Sequence, residues 1–175
     1  MTTELLRSKL SAFTGANMSA LGEIEAQFKD FPNYIGSLIE LAEASEGMIS
    51  SGATWLLKSS LEQGTELTDH QLARLIEKLP NITDWSAQLH ACQSVRHLSL
   101  SSGAAKSITL WAETLLDHKR PFLRAWSLDA LCVAANIAPI LRADAQVAFK
   151  KAGNDNAASV RARARNLGQE FGFLT

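Results

Sequence analysis

Apolar residues recur every three to four positions along nearly the whole chain, the spacing that gathers them on one side of an α-helix. It predicts ten helices. The first covers 4–13, with Leu6, Leu10 and Phe13 on one stripe, and Gly15 stops it. The second covers 19–29 and groups Leu21, Ile24 and Phe28; Pro32 ends it and opens the next. The third, 33–44, turns Ile35, Leu38, Ile39 and Ala42 inward, and the fourth, 47–63, carries Ile49, Ala53, Leu56 and Leu57. Gly64 then stands in the C-cap place. Thr68-Asp-His-Gln71 reads as a capping box, in which the Thr68 hydroxyl accepts from the Gln71 amide and the Gln71 side chain reaches back. Leu67 and Leu72 have hydrophobic-staple spacing across it. The fifth helix follows with Leu72, Leu75, Ile76 and Leu79, and Pro80 ends it. The other five cover 85–100, 104–117, 120–136, 141–152 and 157–171. No stretch alternates with period two long enough for a strand. Short loops make successive helices antiparallel neighbours.

A longer period overlies the helical one. Small residues recur in every other helix at Ala53, Ala91, Ser127 and Ala164, spaced 38, 36 and 37. Inward positions of the alternate helices recur at Leu38, Leu75, Trp111 and Ala148, spaced 37, 36 and 37. Two registers with one period describe stacked helical hairpins, because a hairpin cannot bury both of its faces alone. The chain is therefore expected to be one all-α domain over 1–175: an α-solenoid of about four stacked antiparallel hairpins, 33–64, 68–101, 104–138 and 141–172, behind an N-terminal helical cap, 1–31.

Leu123-Arg-Ala-Trp-Ser127-Leu-Asp-Ala130-Leu131 resembles the second helix of a HEAT repeat, roughly Val-Arg-x-x-Ala-x-x-Ala-Leu. Pro121 falls where that family often has proline. Val160-Arg161-Ala-Arg-Ala164 resembles it again, with Leu167-Gly168 near the usual Leu-Gly ending. Ala87-Gln88-x-x-Ala91 is a weaker copy with glutamine in the arginine place, and Ile49-Ser50-x-x-Ala53 is weaker still. The resemblance covers about 33–172. It implies a right-handed superhelix whose second helices line a concave binding face. It also implies that Arg124 and Arg161 bond to acidic or carbonyl groups of adjacent turns, with Asp117 and Asp155 placed suitably. Trp126 stands on the flank expected to meet the next hairpin, and Arg163 takes its place in the last one, where a polar terminal cap is expected.

Composition fits a globular chain: 46% hydrophobic and 20% charged residues, with a net charge of −1. The charge is unevenly spread. Residues 1–87 hold 6 Lys/Arg against 12 Asp/Glu, a balance of −6; residues 88–175 hold 11 against 6, a balance of +5. The start of the chain lacks the basic and apolar segments of a secretion signal. The longest obvious apolar run, Ala130–Ala135, is far short of the ~20 residues of a membrane span. Cys92 and Cys132 read as buried free thiols, so a cytoplasmic protein without membrane contact is expected.

Candidate chemistry is sparse. Arg161 and Arg165 lie one turn apart on one face, and Arg120, Arg124, Lys119, Lys150 and Lys151 would extend a basic region. Such a region suits structural bonding, an anionic protein partner, or a phosphate backbone. Trp85, beside Asp84 at the start of a helix, suits loop packing, a partner anchor or a base-stacking platform. His90 and His97 share a face, but Cys92 is about 200° from His90 at ~100° per residue, which does not make a metal site. Glu40, Glu43 and Glu46 read as a solvated acidic stripe, and His118 as a cation near a helix C-terminus. No nucleophile elbow, phosphate-binding glycine loop or HExxH occurs. The expectation is a non-catalytic adaptor without metal or cofactor, binding another protein or an extended peptide. A nucleic-acid binder using Arg120, Arg124, Arg161 and Arg165 is the alternative, and a helical enzyme the third reading.

Overall fold

In a computed structural model, residues 2–13 and 18–174 are described; Gly15, expected to stop the first helix, lies outside them. The described residues form ten α-helices and no strand. These are α1 (Thr2–Ser11), α2 (Met18–Phe28), α3 (Tyr34–Leu41), α4 (Gly47–Glu62), α5 (Asp69–Lys78), α6 (Trp85–Ser94), α7 (Ser102–Glu113), α8 (Pro121–Ile137), α9 (Arg142–Gly153) and α10 (Ala158–Glu170). None of them is long and apolar enough to cross a membrane. They gather into two compact units, Met1–His97 and Leu98–Thr175.

In the first unit α3 packs between α1 and α5, and α4 packs against α2 and, most extensively, α6. This makes two layers, α1-α3-α5 and α2-α4-α6, joined where α3 lies on α4. Small residues supply the close approach. Gly52 and Ala53 of α4 are buried, as are Ala87 and Ala91 of α6. A Cβ on Gly52 would meet Leu10 Cδ2 at 2.7 Å, so its missing side chain is filled by α1. In the second unit α7 packs on α8, α9 on α10, and α10 on α8. The C-terminal turn Gly172–Leu174 closes over α9: Gln146 Nε2 donates to the Phe173 carbonyl at 2.6 Å, and the Arg142 guanidinium lies 5.0 Å from the Phe173 ring centre.

Both registers of the long period are buried. Ala53, Ala91, Ser127 and Ala164 line one set, and Leu38, Leu75, Trp111 and Ala148 the other. The expected capping box is present at α5, with Gln71 N to Thr68 Oγ1 at 3.2 Å and Thr68 N to Gln71 Oε1 at 2.9 Å. Gly64, at φ 93°, ends α4 in a Schellman motif: Thr65 N donates to the Ser60 carbonyl and Gly64 N to the Leu61 carbonyl, each at 3.0 Å.

Several ends differ from the periodic expectation. α6 stops at Ser94, six residues short, and continues only as a 3-10 turn, Val95–His97. The Ser94 hydroxyl bonds back to the His90 carbonyl, and Ser101 instead caps α7 through Ala104 N; serine side chains here compete with the helix for backbone partners. α7 stops at Glu113, where Thr114 Oγ1 takes the Trp111 carbonyl at 2.7 Å and the chain tightens into i→i−3 turns. Ile35, Leu72 and Ile76, expected inward, are only half-buried, because they flank rather than centre their stripes.

The close-packed small positions give a direct test. Ala164→Glu should destabilise the protein by about 2–4 kcal/mol by burying an unpaired charge, and Ala91→Leu by about 1–3 kcal/mol by overfilling the layer between α4 and α6. Urea midpoints unchanged in both variants would disprove this packing.

Candidate functional site

The arginines singled out in the sequence belong to the second unit, and two of them are brought together on one loop. Arg124, in the first turn of α8, forks onto the Asp155 carboxylate, Nε to Oδ2 at 2.9 Å and Nη2 to Oδ1 at 2.7 Å. Its Nη1 donates to the His118 carbonyl at 2.9 Å. Arg161, in the first turn of α10, donates from Nη1 to the carbonyls of Asp155 at 2.6 Å and Asn156 at 2.9 Å. The Arg124 fork holds the Asp155 carboxyl below the usual carboxylate range.

Other cations of the expected basic region are engaged as well. Lys151 pairs with Asp117 at 2.6 Å. Arg163 does not project from an exposed end: its guanidinium lies 3.8 Å above the Trp126 ring centre and 3.3 Å from the buried Asp129 carboxylate. Arg163 therefore faces back onto α8. Burial and the charges of Lys119, Arg120 and Arg124 push His118 down, so its surroundings disfavour the cation expected there; its Nδ1 accepts from Arg120 N at 3.1 Å. Arg120, the N-cap of α8, and Arg165 on α10 are exposed.

The acidic stripe in the first unit is a docking edge for neighbouring helices. Glu40 pairs with Arg74 of α5 at 2.8 Å and with Lys78 at 3.1 Å, Glu43 binds Lys78 and Asn81, and Glu46 pairs with Arg7 of α1. Hydrogen bonds from Arg74 and Lys78 hold the Glu40 and Glu43 carboxyls down. Burial alone would lower Lys78, but these two carboxylates overcome it and raise its affinity for the proton.

Trp85 opens a different site, a groove of about 370 Å³ within the first unit. Its apolar lining is Phe13, Leu21, Met48 and Trp55 of α4, and Trp85 of α6. The polar wall is Ser51, Asp84, Ser86 and His90. Its geometry follows from helix capping. Asp84 caps α6, its Oδ1 accepting from Ser86 N and Ala87 N at 3.0 Å each. Ser86 Oγ stands between Asp84 Oδ1 at 2.6 Å and Ser51 Oγ at 2.7 Å, tying α6 to α4. Gly47 admits the carboxylate, since a Cβ there would lie 3.0 Å from Asp84 Oδ2. His90 Nδ1 lies 3.3 Å from Thr54 Oγ1, and burial pushes the imidazole down to about 4, so it is neutral at physiological pH.

Trp85 and Asp84 were visible in the sequence, but the groove was not. Met48, Ser51 and Trp55 sit at i, i+3 and i+7 on α4, a stripe of mixed polarity that signals an exposed lining, yet its pairing with α6 is tertiary. Compared with known proteins, the chain matches no family model, no curated protein and no solved structure.

Two outcomes follow. Arg124→Ala should cost about 1–2 kcal/mol, being partly screened at the surface, whereas Arg165→Ala should stay within about 0.5 kcal/mol; equal urea midpoints would refute the difference. His90 holds its proton more weakly in the folded chain (about 4) than at its ordinary 6.5. Its contribution is thus complete above about pH 6.5 and is lost as pH falls toward 4, by up to about 3 kcal/mol. Urea unfolding at pH 7 and pH 4.5 should show this fall, and His90→Gln should flatten it.

Proposed function

We propose that this chain is a HEAT-like α-solenoid of four hairpins behind an N-terminal cap, a cytoplasmic scaffold that binds another protein or an extended peptide and carries no chemistry of its own. The observation that carries this reading is a recurring clamp. Gln88 Nε2 donates to the Ile82 carbonyl at 2.9 Å, Arg124 to that of His118, and Arg161 to that of Asp155. In each case a side chain in the first turn of a second helix reaches the carbonyl six residues earlier. The three residues are one repeat apart, and they occupy the family's arginine place.

Polar ties across one repeat length support the same reading: Thr3 to Ser37, Glu25 to Ser59, Ser51 to Ser86, Thr54 to His90, Glu40 to Arg74, and Asp117 to Lys151. Residues tied at this distance belong to neighbouring helix pairs, the cap included, which is the expected pattern when each repeat touches only its neighbours. The nucleic-acid alternative loses support because Arg124 and Arg161 are spent on internal acceptors, and phosphate tracking needs free cations. The polar groups of the groove cap and tie helices rather than pairing a nucleophile with a base, which disfavours the enzyme reading.

Selection of displayed random peptides on the full chain tests this. A convergent consensus, binding as a synthetic peptide with micromolar affinity, is expected. Failure to converge, or binding of duplex DNA or RNA that falls steeply with salt and disappears in Arg120→Glu with Arg165→Glu, would overturn it.

A further inference from the structure

The longest helix of the second unit, α8, presents an apolar face to solvent. Past its first turn, the residues of α8 that reach solvent appreciably are Trp126, Val133, Asn136 and Ile137. Phe122 in the first turn is 63% exposed, and Ile137 at the far end is 44% exposed. At ~100° per residue, positions 122, 126, 129, 133 and 137 fall within about 80°, so they form one stripe. Its one polar member, Asp129, is fully buried, with Arg163 Nη1 3.3 Å from the carboxylate. The same guanidinium covers the Trp126 ring, so Trp126 is a fixed wall and the open anchors are Phe122 and Ile137. The repeat does not demand this. The places of 122, 126, 129 and 133 hold Ser86, His90, Gln93 and His97 36 residues earlier, and Ser159, Arg163, Asn166 and Glu170 37 residues later. An exposed apolar stripe that the fold does not need marks a contact surface.

Charge says what covers it. Residues 98–175 hold 10 Lys/Arg against 6 Asp/Glu, a balance of +4, which draws acidic partners. The positive charge gathers at the Phe122 end of the stripe. Lys119 is exposed three residues before Phe122, and the charges of Lys119, Arg120 and Arg124 all bear on His118 beside them. From residue 130 to residue 141 the chain carries no charge. The face is therefore cationic at one end and apolar toward the other. Phe122 and Ile137 are 15 residues apart, about 22 Å along the helix. An extended chain covers that length in about seven residues. A nucleic-acid strand would bring phosphates along the whole length, yet Val133 and Ile137 offer it neither a cation nor a ring for a base.

Resting on the scaffold reading above, we propose that the exposed stripe of α8 is the docking face for an extended acidic peptide segment of a partner protein, which lays large apolar side chains on Phe122 and Ile137 and an acidic residue at Lys119. The acidic residue belongs at one end of the segment, because one end of the face is cationic.

The test is retention of the full chain on arrays of immobilised heptapeptides of three compositions: acidic with Leu and Phe, basic with Leu and Phe, and acidic with Ser and Gly. The first set should retain the chain and the other two should not. Phe122→Ser with Ile137→Ser should weaken retention at least tenfold, and an unchanged urea midpoint should show that the fold is intact. Val147→Ser removes an apolar side chain that is 70% exposed on α9 and should change nothing. Lys119→Glu should move the preference from the acidic set toward the basic one. Equal retention on the acidic Ser and Gly set, an equal loss in Val147→Ser, or an acidic preference that survives Lys119→Glu would each overturn the proposal. So would a dimer in sedimentation, or a retained single-stranded oligonucleotide, that Phe122→Ser with Ile137→Ser abolishes, since the face would then have another occupant. Peptide binding indifferent to these variants sinks the α8 face and spares the scaffold reading. The absence of any retained peptide sinks the scaffold reading as well.

Discussion

The entry of a helix is held by one recurring interaction in α6, α8 and α10. A side chain in its first turn reaches back to a carbonyl six residues upstream, as Gln88, Arg124 and Arg161 do. That bond ties the incoming loop to the helix it opens, and satisfies a carbonyl that the turn would otherwise leave to solvent. Where the residue is arginine it has donors left over, and Arg124 spends them on Asp155 of the following loop. The entry to one helix is thus joined to the entry of the next. Arg161 then takes the backbone carbonyl of the same aspartate.

The remaining architecture is organised around this spacing. Within each unit small side chains let helices come close, Ala53 of α4 with Ala91 of α6 in the first and Ser127 of α8 with Ala164 of α10 in the second. Polar pairs sit at the edges, where water screens them and where each is worth little alone. Their value is positional. Glu40 and Glu43 receive Arg74 and Lys78, fixing how α5 lies on α3, and Ser86 fixes α6 on α4. The groove beside Trp85 is a by-product of that last tie, because the N-cap of α6 carries its carboxylate into the space between the two helices.

The legible features were those written within one element. Helix positions follow from apolar spacing, the Thr68 cap from four consecutive residues, and the buried registers from their period. Acidic or carbonyl acceptors were expected for Arg124 and Arg161, with Asp117 and Asp155 preceding them; Arg161 does take the Asp155 carbonyl, but Arg124 takes the Asp155 carboxylate of the following loop, and Asp117 pairs with Lys151 instead. Features that need two elements were harder. Glu40, Glu43 and Glu46 form a stripe that periodicity alone assigns to solvent, and only the arrival of α1 and α5 gives it partners. Arg163 was expected at a free end, but a guanidinium packs flat on an indole and also reaches Asp129, so it faces inward. The groove combines residues from α2, α4 and α6 with Phe13 just after α1 and Asp84 just before α6, and no single stretch of chain contains it.

Asp155 serves two arginines with two different groups, its side chain and its backbone. Its loop therefore has a fixed length as well as a preferred composition. One inserted residue between Asp155 and Arg161 would pull the carboxylate from α8 or the carbonyl from α10, since both cannot follow. The turn after α4 has no such double duty, being closed by local backbone bonds around Gly64. Variation in length among descendants of this chain should accordingly collect near 64–67 and avoid 154–157, so that loop length, more than residue identity, records which loops are held from both sides.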